Sequence, residues 1–269
     1  MKILDELLAC VVCGYKQGGT TLFSSLIAAD SQFSGRFETG LLQVKKPKDI
    51  LGARGNVLKN LTRSWNISSD LLEEMASQNN FYDAYRLLLE ENGFPKGQKL
   101  IDKYPDYIRF VDDIVSATDA PIIFVARDPR ALYWSRLKRL KDTSVTIYEE
   151  ENVETKNHGV LTPERFATEY VKLFRRAKEY EAKYAGQFHI FKLEKMLVQT
   201  AMERDRLFKL LNRQTPDKLF GDIGVSDQKV RSGFDLSVIE DFRENLTNDE
   251  QEEILLRCDE ASELFLNVS

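Results

Sequence analysis

A chain of 269 residues that is 42% hydrophobic and holds 16 Phe and 10 Tyr has enough apolar side chains to close one large packed core. Its formal net charge of −5 argues against a general nucleic-acid binder, which carries an excess of Lys and Arg, but leaves room for a small anionic ligand on a local cluster of cations. Three cysteines are too few for a disulfide scaffold and suit a reducing compartment. No apolar run is long enough to span a bilayer or reads as a signal peptide, so a cytoplasmic location is expected.

Leu7 to Cys13 is a continuous apolar run of strand length, followed by a glycine turn and then a helical stripe at Leu22, Leu26 and Ile27. Cys10 and Cys13 form a C-x2-C, but no second pair or nearby His completes a zinc site, and both precede the turn. They read as core packing. Residues 42–98 are mixed and polar, with helical periodicity in Leu71 to Met75 and in Phe81 to Leu89. Lys99 to Asp102 reads as a short strand, and Tyr107 to Ser116 as a helix with Ile108, Val111, Ile114 and Val115 on one face. Pro121 to Ala126 is a buried strand, and Asp128-Pro129 opens the next helix as an N-cap with Pro at its first position. The cations of that helix, Arg130, Arg136, Lys138, Arg139 and Lys141, read as a solvated face. Residues 141–160 lack periodicity and carry Glu149-Glu150-Glu151, as a lid or flexible insert does. Thr162-Pro163-Glu164 opens a long helix to about Tyr184, Phe188 to Leu193 is a third buried strand, and a helix follows from Met202 to Leu211. The last helix runs from Asp249 to about Phe265 behind a Thr247 cap. Strands alternating with helices predict an α/β fold: one three-layer, P-loop-like domain over residues 1–269, with a central, mostly parallel sheet of about five strands. Such sheets bind ligands beyond the carboxyl ends of their strands.

The turn after the first strand is the place to look. Gly18 and Gly19 let the backbone approach a ligand, and Thr20 and Thr21 offer hydroxyls at a helix N-terminus, where free N–H groups and the helix dipole favour phosphate or sulfate. Gly14 and Gly19 are spaced as in a nucleotide-triphosphate P-loop, yet Thr20 stands where that loop has its Lys. The nearby cation, Lys16, lies on the other side of the glycines. At the end of the Pro121–Ala126 strand, Arg127 meets the same crevice, and Ser135 lies eight residues on, about two helical turns away. Arg is suited to bidentate phosphate contact, though an Arg satisfying nearby carbonyls beside an N-cap fits the spacing equally well.

These two segments together resemble the sulfotransferases that use 3'-phosphoadenosine-5'-phosphosulfate (PAPS). That family has a Pro-Lys/Arg-Ser-Gly-Thr-Thr motif after a strand, cradling the 5'-phosphosulfate, and an Arg, often in Arg-Asp-Pro, with a Ser eight residues later, holding the 3'-phosphate. Phe188 to Leu197 is similar to the family's strand-plus-Glu-Asp-Leu segment. The resemblance implies that Lys16, Gln17, Gly18, Gly19, Thr20, Thr21, Arg127 and Ser135 bind the donor. Asp102-Lys103-Tyr104-Pro105-Asp106-Tyr107 resembles the Asp-Lys-Thr/Ser-Pro-x-Tyr segment of the glycan and protein sulfotransferases, which would turn Lys103 towards the phosphosulfate. Val230-Arg231-Ser232-Gly233 resembles the late Arg-Lys-Gly segment closing over the 3'-phosphate, with Ser232 replacing its Lys, so Arg231, Ser232 and Gly233 join the donor site.

The acceptor hydroxyl must lose a proton as it attacks sulfur, so a general base is expected. His158 lies in the insert and His189 in a strand, and neither matches the base position of the small-molecule enzymes of the cytosol. Glu38 stands where the glycan and tyrosylprotein enzymes place a catalytic Glu; an ion pair to Arg36 or another cation is the competing reading. Gln17 departs from the family pattern, being neutral where a Lys or Arg is usual, which leaves Lys16 or Lys103 to supply the charge. The implied function is transfer of a sulfuryl group from PAPS to an acceptor hydroxyl on a small molecule, glycan or peptide. It would release 3'-phosphoadenosine-5'-phosphate (PAP) and need no metal. The alternatives are a diverged nucleotide kinase or NTPase and a catalytically impaired nucleotide-binding scaffold. The acceptor and the oligomeric state stay open.

Overall fold

The computed structural model describes residues 2–53, 57–141, 161–198, 201–216 and 237–259. Five strands, β1 (Leu8–Gly14), β2 (Phe33–Gly35), β3 (Lys99–Lys103), β4 (Ile122–Ala126) and β5 (Phe188–Lys192), form one sheet in the order β2-β3-β1-β4-β5. Every pairing is parallel. All seven residues of β1 and all five of β4 are buried, which is why both read as unbroken apolar runs rather than as alternating ones. The registers Val12↔Lys103, Gly14↔Val125 and Ala126↔Lys192 bring the carboxyl ends of four strands to one edge of the sheet.

The longer helices are α1 (Thr20–Ile27), α2 (Ser69–Ser77), α3 (Phe81–Glu91), α4 (Val111–Ala117), α5 (Pro129–Lys141), α6 (Pro163–Lys183), α7 (Leu193–Val198), α8 (Ala201–Leu210) and α9 (Asn248–Arg257). Helices α1, α7 and α8 cover one face of the sheet, where Phe23, Leu26, Met196, Leu207 and Phe208 pack on Cys10, Val12, Ile123 and Val125. The other face carries the larger core, with Tyr85, Ile114, Leu132, Tyr170 and Ile254 over Val11, Cys13 and Phe124. Thr162 and Thr247 cap α6 and α9 as expected, each accepting the backbone N–H three residues on. The last helix is described only as far as Arg257; its expected continuation past residue 259, like the insert at 142–160, lies outside the described residues.

Three readings change. The strand β2 gave no sequence signal. Where one helix was expected over Tyr107–Ser116, a 3-10 turn at Pro105–Arg109 and α4 are separated by a break at Phe110 (φ −122°, ψ 16°). The tighter turn sends both Tyr107 and Ile108 into the core. The cations of α5 are not all solvated. The Arg130 guanidinium pairs with Asp128 at 2.6 Å and lies 4.7 Å from the Phe242 ring centre, and that of Arg136 lies 5.4 Å from the Phe166 ring centre. Cys10 and Cys13 are buried free thiols whose burial pushes them well above the usual range, in keeping with core packing.

Phe124 sits at the middle of the larger core, edge-on to Tyr15 at 5.4 Å and stacked on Phe188 at 6.4 Å. Phe124→Ala should cost about 3–5 kcal/mol in denaturant unfolding, from lost burial plus the cavity left behind. A loss below about 1 kcal/mol would contradict its central place.

Candidate active site

The turn between β1 and α1 is shaped by what surrounds it. Tyr15 turns inward, stacks on Tyr170 of α6 (centroids 4.5 Å, interplanar angle 2°) and donates from its hydroxyl to the Tyr170 carbonyl at 3.1 Å. Lys16 turns outward to pair with Asp106 at 3.1 Å. Gln17 takes a left-handed conformation (φ 65°), uncommon for a non-glycine residue. Gly18 donates its N–H back to the Tyr15 carbonyl at 2.8 Å, and a methyl group there would lie 2.7 Å from that same oxygen. Gly19 (φ 88°) precedes α1, and a methyl there would strike Leu193 at the start of α7. Because the residue before the helix is Gly, no side chain caps α1, and its first turn carries no acid. Its leading N–H groups and dipole are therefore directed at the crevice.

Lys103, the last residue of β3, reaches this helix end. Its ammonium donates to Thr21 Oγ1 at 3.1 Å and to Glu38 Oε1 at 3.0 Å. Its side chain is 9% exposed and that of Glu38 32% exposed. Opposite charges so far withdrawn from water attract several-fold more strongly than at a free surface. The structure thus brings Thr21, Lys103 and Glu38 together from three segments remote in sequence. The cation that Glu38 finds is Lys103; Arg36 instead donates to the Asn92 carbonyl at 3.0 Å and lies over Phe94.

Arg127 leaves β4 beside the same turn. It is buried, its guanidinium donates to the Gln17 carbonyl at 2.6 Å, and its own carbonyl accepts from the Tyr170 hydroxyl at 2.7 Å. Burial lowers its pKa while Glu194 and Asp128 oppose the shift. Asp128 caps α5, as its sequence position implies, accepting the Arg130 N–H at 2.8 Å. Ser135 is half-buried two turns along α5, on the helix side that Asp128 begins. His189 is half-buried in β5, and burial lowers its pKa. Arg231, Ser232, Gly233 and His158 lie outside the described residues.

Two participants were not picked out from the sequence. Tyr170 ties the exits of β1 and β4 to α6; an aromatic on a helical stripe carries no signal of that role. Glu194 follows β5, with one oxygen accepting the Asp128 N–H at 2.8 Å and the other buried without a hydrogen-bond partner among the described residues. Its place at a strand end, in a segment similar to the family's Glu-Asp-Leu, was the available clue.

A model of the Sulfotransferase family matches residues 10–217, so the chain belongs to that family and is a sulfotransferase. The sulfotransferase domain of the Synechococcus PCC 7002 olefin synthase superposes with a TM-score of 0.66 at 16% identity, covering 97% of this chain and 94% of that one. The sulfotransferase domain from the curacin biosynthetic pathway gives 0.61 at 16% identity, with 94% and 98% covered. A sulfotransferase from Alicyclobacillus acidocaldarius gives 0.50 at 14% identity, with 95% and 96% covered. At these identities the likeness is one of fold. A search of curated protein sequences returns no match. Among the described residues no helix is long and apolar enough to cross a membrane.

Burial pushes the Glu194 carboxyl up to about 7. A carboxyl raised on folding binds its proton more tightly in the folded state, so its stabilising effect is complete at low pH and is lost as pH rises through that value. Glu194→Gln should therefore unfold at higher denaturant than the parent at about pH 8, by up to roughly 3 kcal/mol, with the gap closing by about pH 4. An effect independent of pH would contradict a buried carboxyl raised in this way.

Proposed function

We propose that this sulfotransferase moves a sulfuryl group from PAPS to an acceptor hydroxyl and releases PAP. The observation that carries this reading is the Lys103 ammonium held between Thr21 at the uncapped start of α1 and the Glu38 carboxylate. The residues fit an anionic phosphosulfate: open helix N–H groups, two hydroxyls and a largely buried ammonium with no acid in the first turn. Thr20 in place of a P-loop Lys favours such a donor over a nucleoside triphosphate.

PAPS supplies the activated sulfuryl group. In the proposed displacement the acceptor oxygen forms a bond to sulfur as the bond from sulfur to the phosphate oxygen breaks, with no covalent enzyme intermediate. The α1 amides with Thr20 and Thr21 hold the anionic oxygens, and Lys103 offsets charge growing on the departing oxygen. Glu38 takes the acceptor proton, and its pairing with Lys103 at 3.0 Å holds it beside the start of α1. The 3'-phosphate is assigned to Arg127 and Ser135, with Arg231, Ser232 and Gly233 contributing from the late segment. The acceptor class stays at a hydroxyl compound.

Transfer from radiolabelled PAPS to a panel of alcohols, phenols, sugars and hydroxyl-bearing peptides tests the reading. Lys103→Ala and Glu38→Gln should each lower kcat by about a hundredfold or more. Transfer retained within about threefold in either variant would remove that residue from the chemistry.

A further inference from the structure

Lys103 and Glu38 belong to different segments, one the end of β3 and the other the irregular stretch after β2. The residue preceding Lys103 and the one following Glu38 point away from the crevice and meet each other. Thr39 Oγ1 donates to Asp102, with its oxygen 3.0 Å from Oδ1 and 3.2 Å from Oδ2. Two tyrosines complete the cluster: Tyr107 donates to Asp102 Oδ2 at 2.8 Å, and Tyr85 of α3 donates to that same oxygen. The Thr39 oxygen also accepts the Leu41 N–H at 3.1 Å, and the Tyr107 oxygen accepts that of Leu42 at 3.4 Å. All four side chains are buried, with Thr39, Tyr85 and Tyr107 fully enclosed and Asp102 1% exposed.

We infer that Asp102, Thr39, Tyr85 and Tyr107 form a positioning set that fixes Glu38 against Lys103, one residue back from each. The inference rests on the transfer roles proposed for that pair. A buried carboxylate is costly, and three hydroxyl donors offset its desolvation without adding the packing that apolar residues of the same volume would supply. Stability alone is a poor reason to bury such a group. Register is a better one, because a buried network in which Asp102 takes three hydroxyl donors while Thr39 and Tyr107 also accept backbone N–H groups holds the segments it joins in one arrangement. The link is short: from Lys103 through Asp102 and Thr39 to Glu38 there are two backbone steps and one hydrogen bond. A shift of about 1 Å at a reacting group can cost a hundredfold in rate, so a clamp of this length matters to transfer.

The test compares Thr39→Val, Thr39→Ser and Tyr85→Phe with Glu38→Gln and Lys103→Ala, using labelled PAPS and the fastest acceptor of the panel above. Thr39→Val keeps the side-chain volume and removes the hydroxyl. It should lower kcat about 10- to 100-fold while the PAP Kd from calorimetry stays within about twofold, and Thr39→Ser should restore kcat to within about threefold. In a crystal structure of Thr39→Val, the separation of Lys103 Nζ from Glu38 Oε1 should open beyond about 4 Å, a readout that needs no acceptor. Should Thr39→Val fail to fold, Tyr85→Phe, which keeps the ring and removes one donor, should still lower kcat about three- to tenfold. A folded Thr39→Val with unchanged kcat and an unchanged Lys103–Glu38 distance overturns the inference, as does an equal loss of kcat and PAP affinity. If Glu38→Gln and Lys103→Ala abolish transfer while the Thr39 and Tyr85 variants are silent, the positioning set alone is wrong. If Glu38→Gln and Lys103→Ala stay active, the reading beneath it is wrong.

Discussion

The close approach of the turn after β1 to the ends of its neighbouring strands is the constraint on which the rest of the site depends. Gly14 pairs with Val125 so closely that a methyl group on it would lie 2.7 Å from the Val125 carbonyl. Gly18 folds back on Tyr15, and Gly19 fits against Leu193. With no side chain at these places, the turn sinks to the level of the sheet edge. It is then near enough for Arg127 to hold its Gln17 carbonyl and for Lys103 to reach Thr21 at the helix start. The same approach leaves α1 without a side-chain cap, so its first amides face the crevice where the strands end.

Gln17 gains a physical account from this arrangement. It stands where the motif it resembles has a Lys or Arg, and its backbone is left-handed, with its carbonyl satisfied by a buried guanidinium. What the structure uses at this position is the main chain. The nearby cation Lys16 is paired with Asp106, so the ammonium at the start of α1 is that of Lys103, delivered by a neighbouring strand. Electrostatic stabilisation depends on where charge sits relative to the reacting atoms rather than on which segment carries it, so the substitution at the turn is compatible with transfer.

Much of the fold was legible because its inner strands are buried on both faces. Such strands write continuous apolar runs, as at Leu7–Cys13 and Pro121–Ala126, and helix starts announce themselves through Asp128, Thr162 and Thr247. The edge strand Phe33-Ser34-Gly35 was not legible, since three residues paired with β3 alone are too short a run to show a period. At the site, the turn, Arg127, Lys103 and Glu38 could be named from motifs. That Glu38 and Lys103 are partners could not, nor could the cluster of Thr39, Tyr85, Asp102 and Tyr107, because Thr39 and Tyr85 join the Asp102–Tyr107 segment from two remote stretches and share no period with it. Tertiary polar networks of this kind follow from register, which periodicity within one element does not encode.

The central claim is that the crevice at the start of α1 is built for a nucleotide sulfate and not for a nucleoside triphosphate. Calorimetric titration of the intact chain with PAP and with ATP, in the same buffer, tests it most directly. The account predicts that PAP binds at least about tenfold more tightly, a difference of about 1.4 kcal/mol. Equal affinities, or tighter binding of ATP, would contradict it.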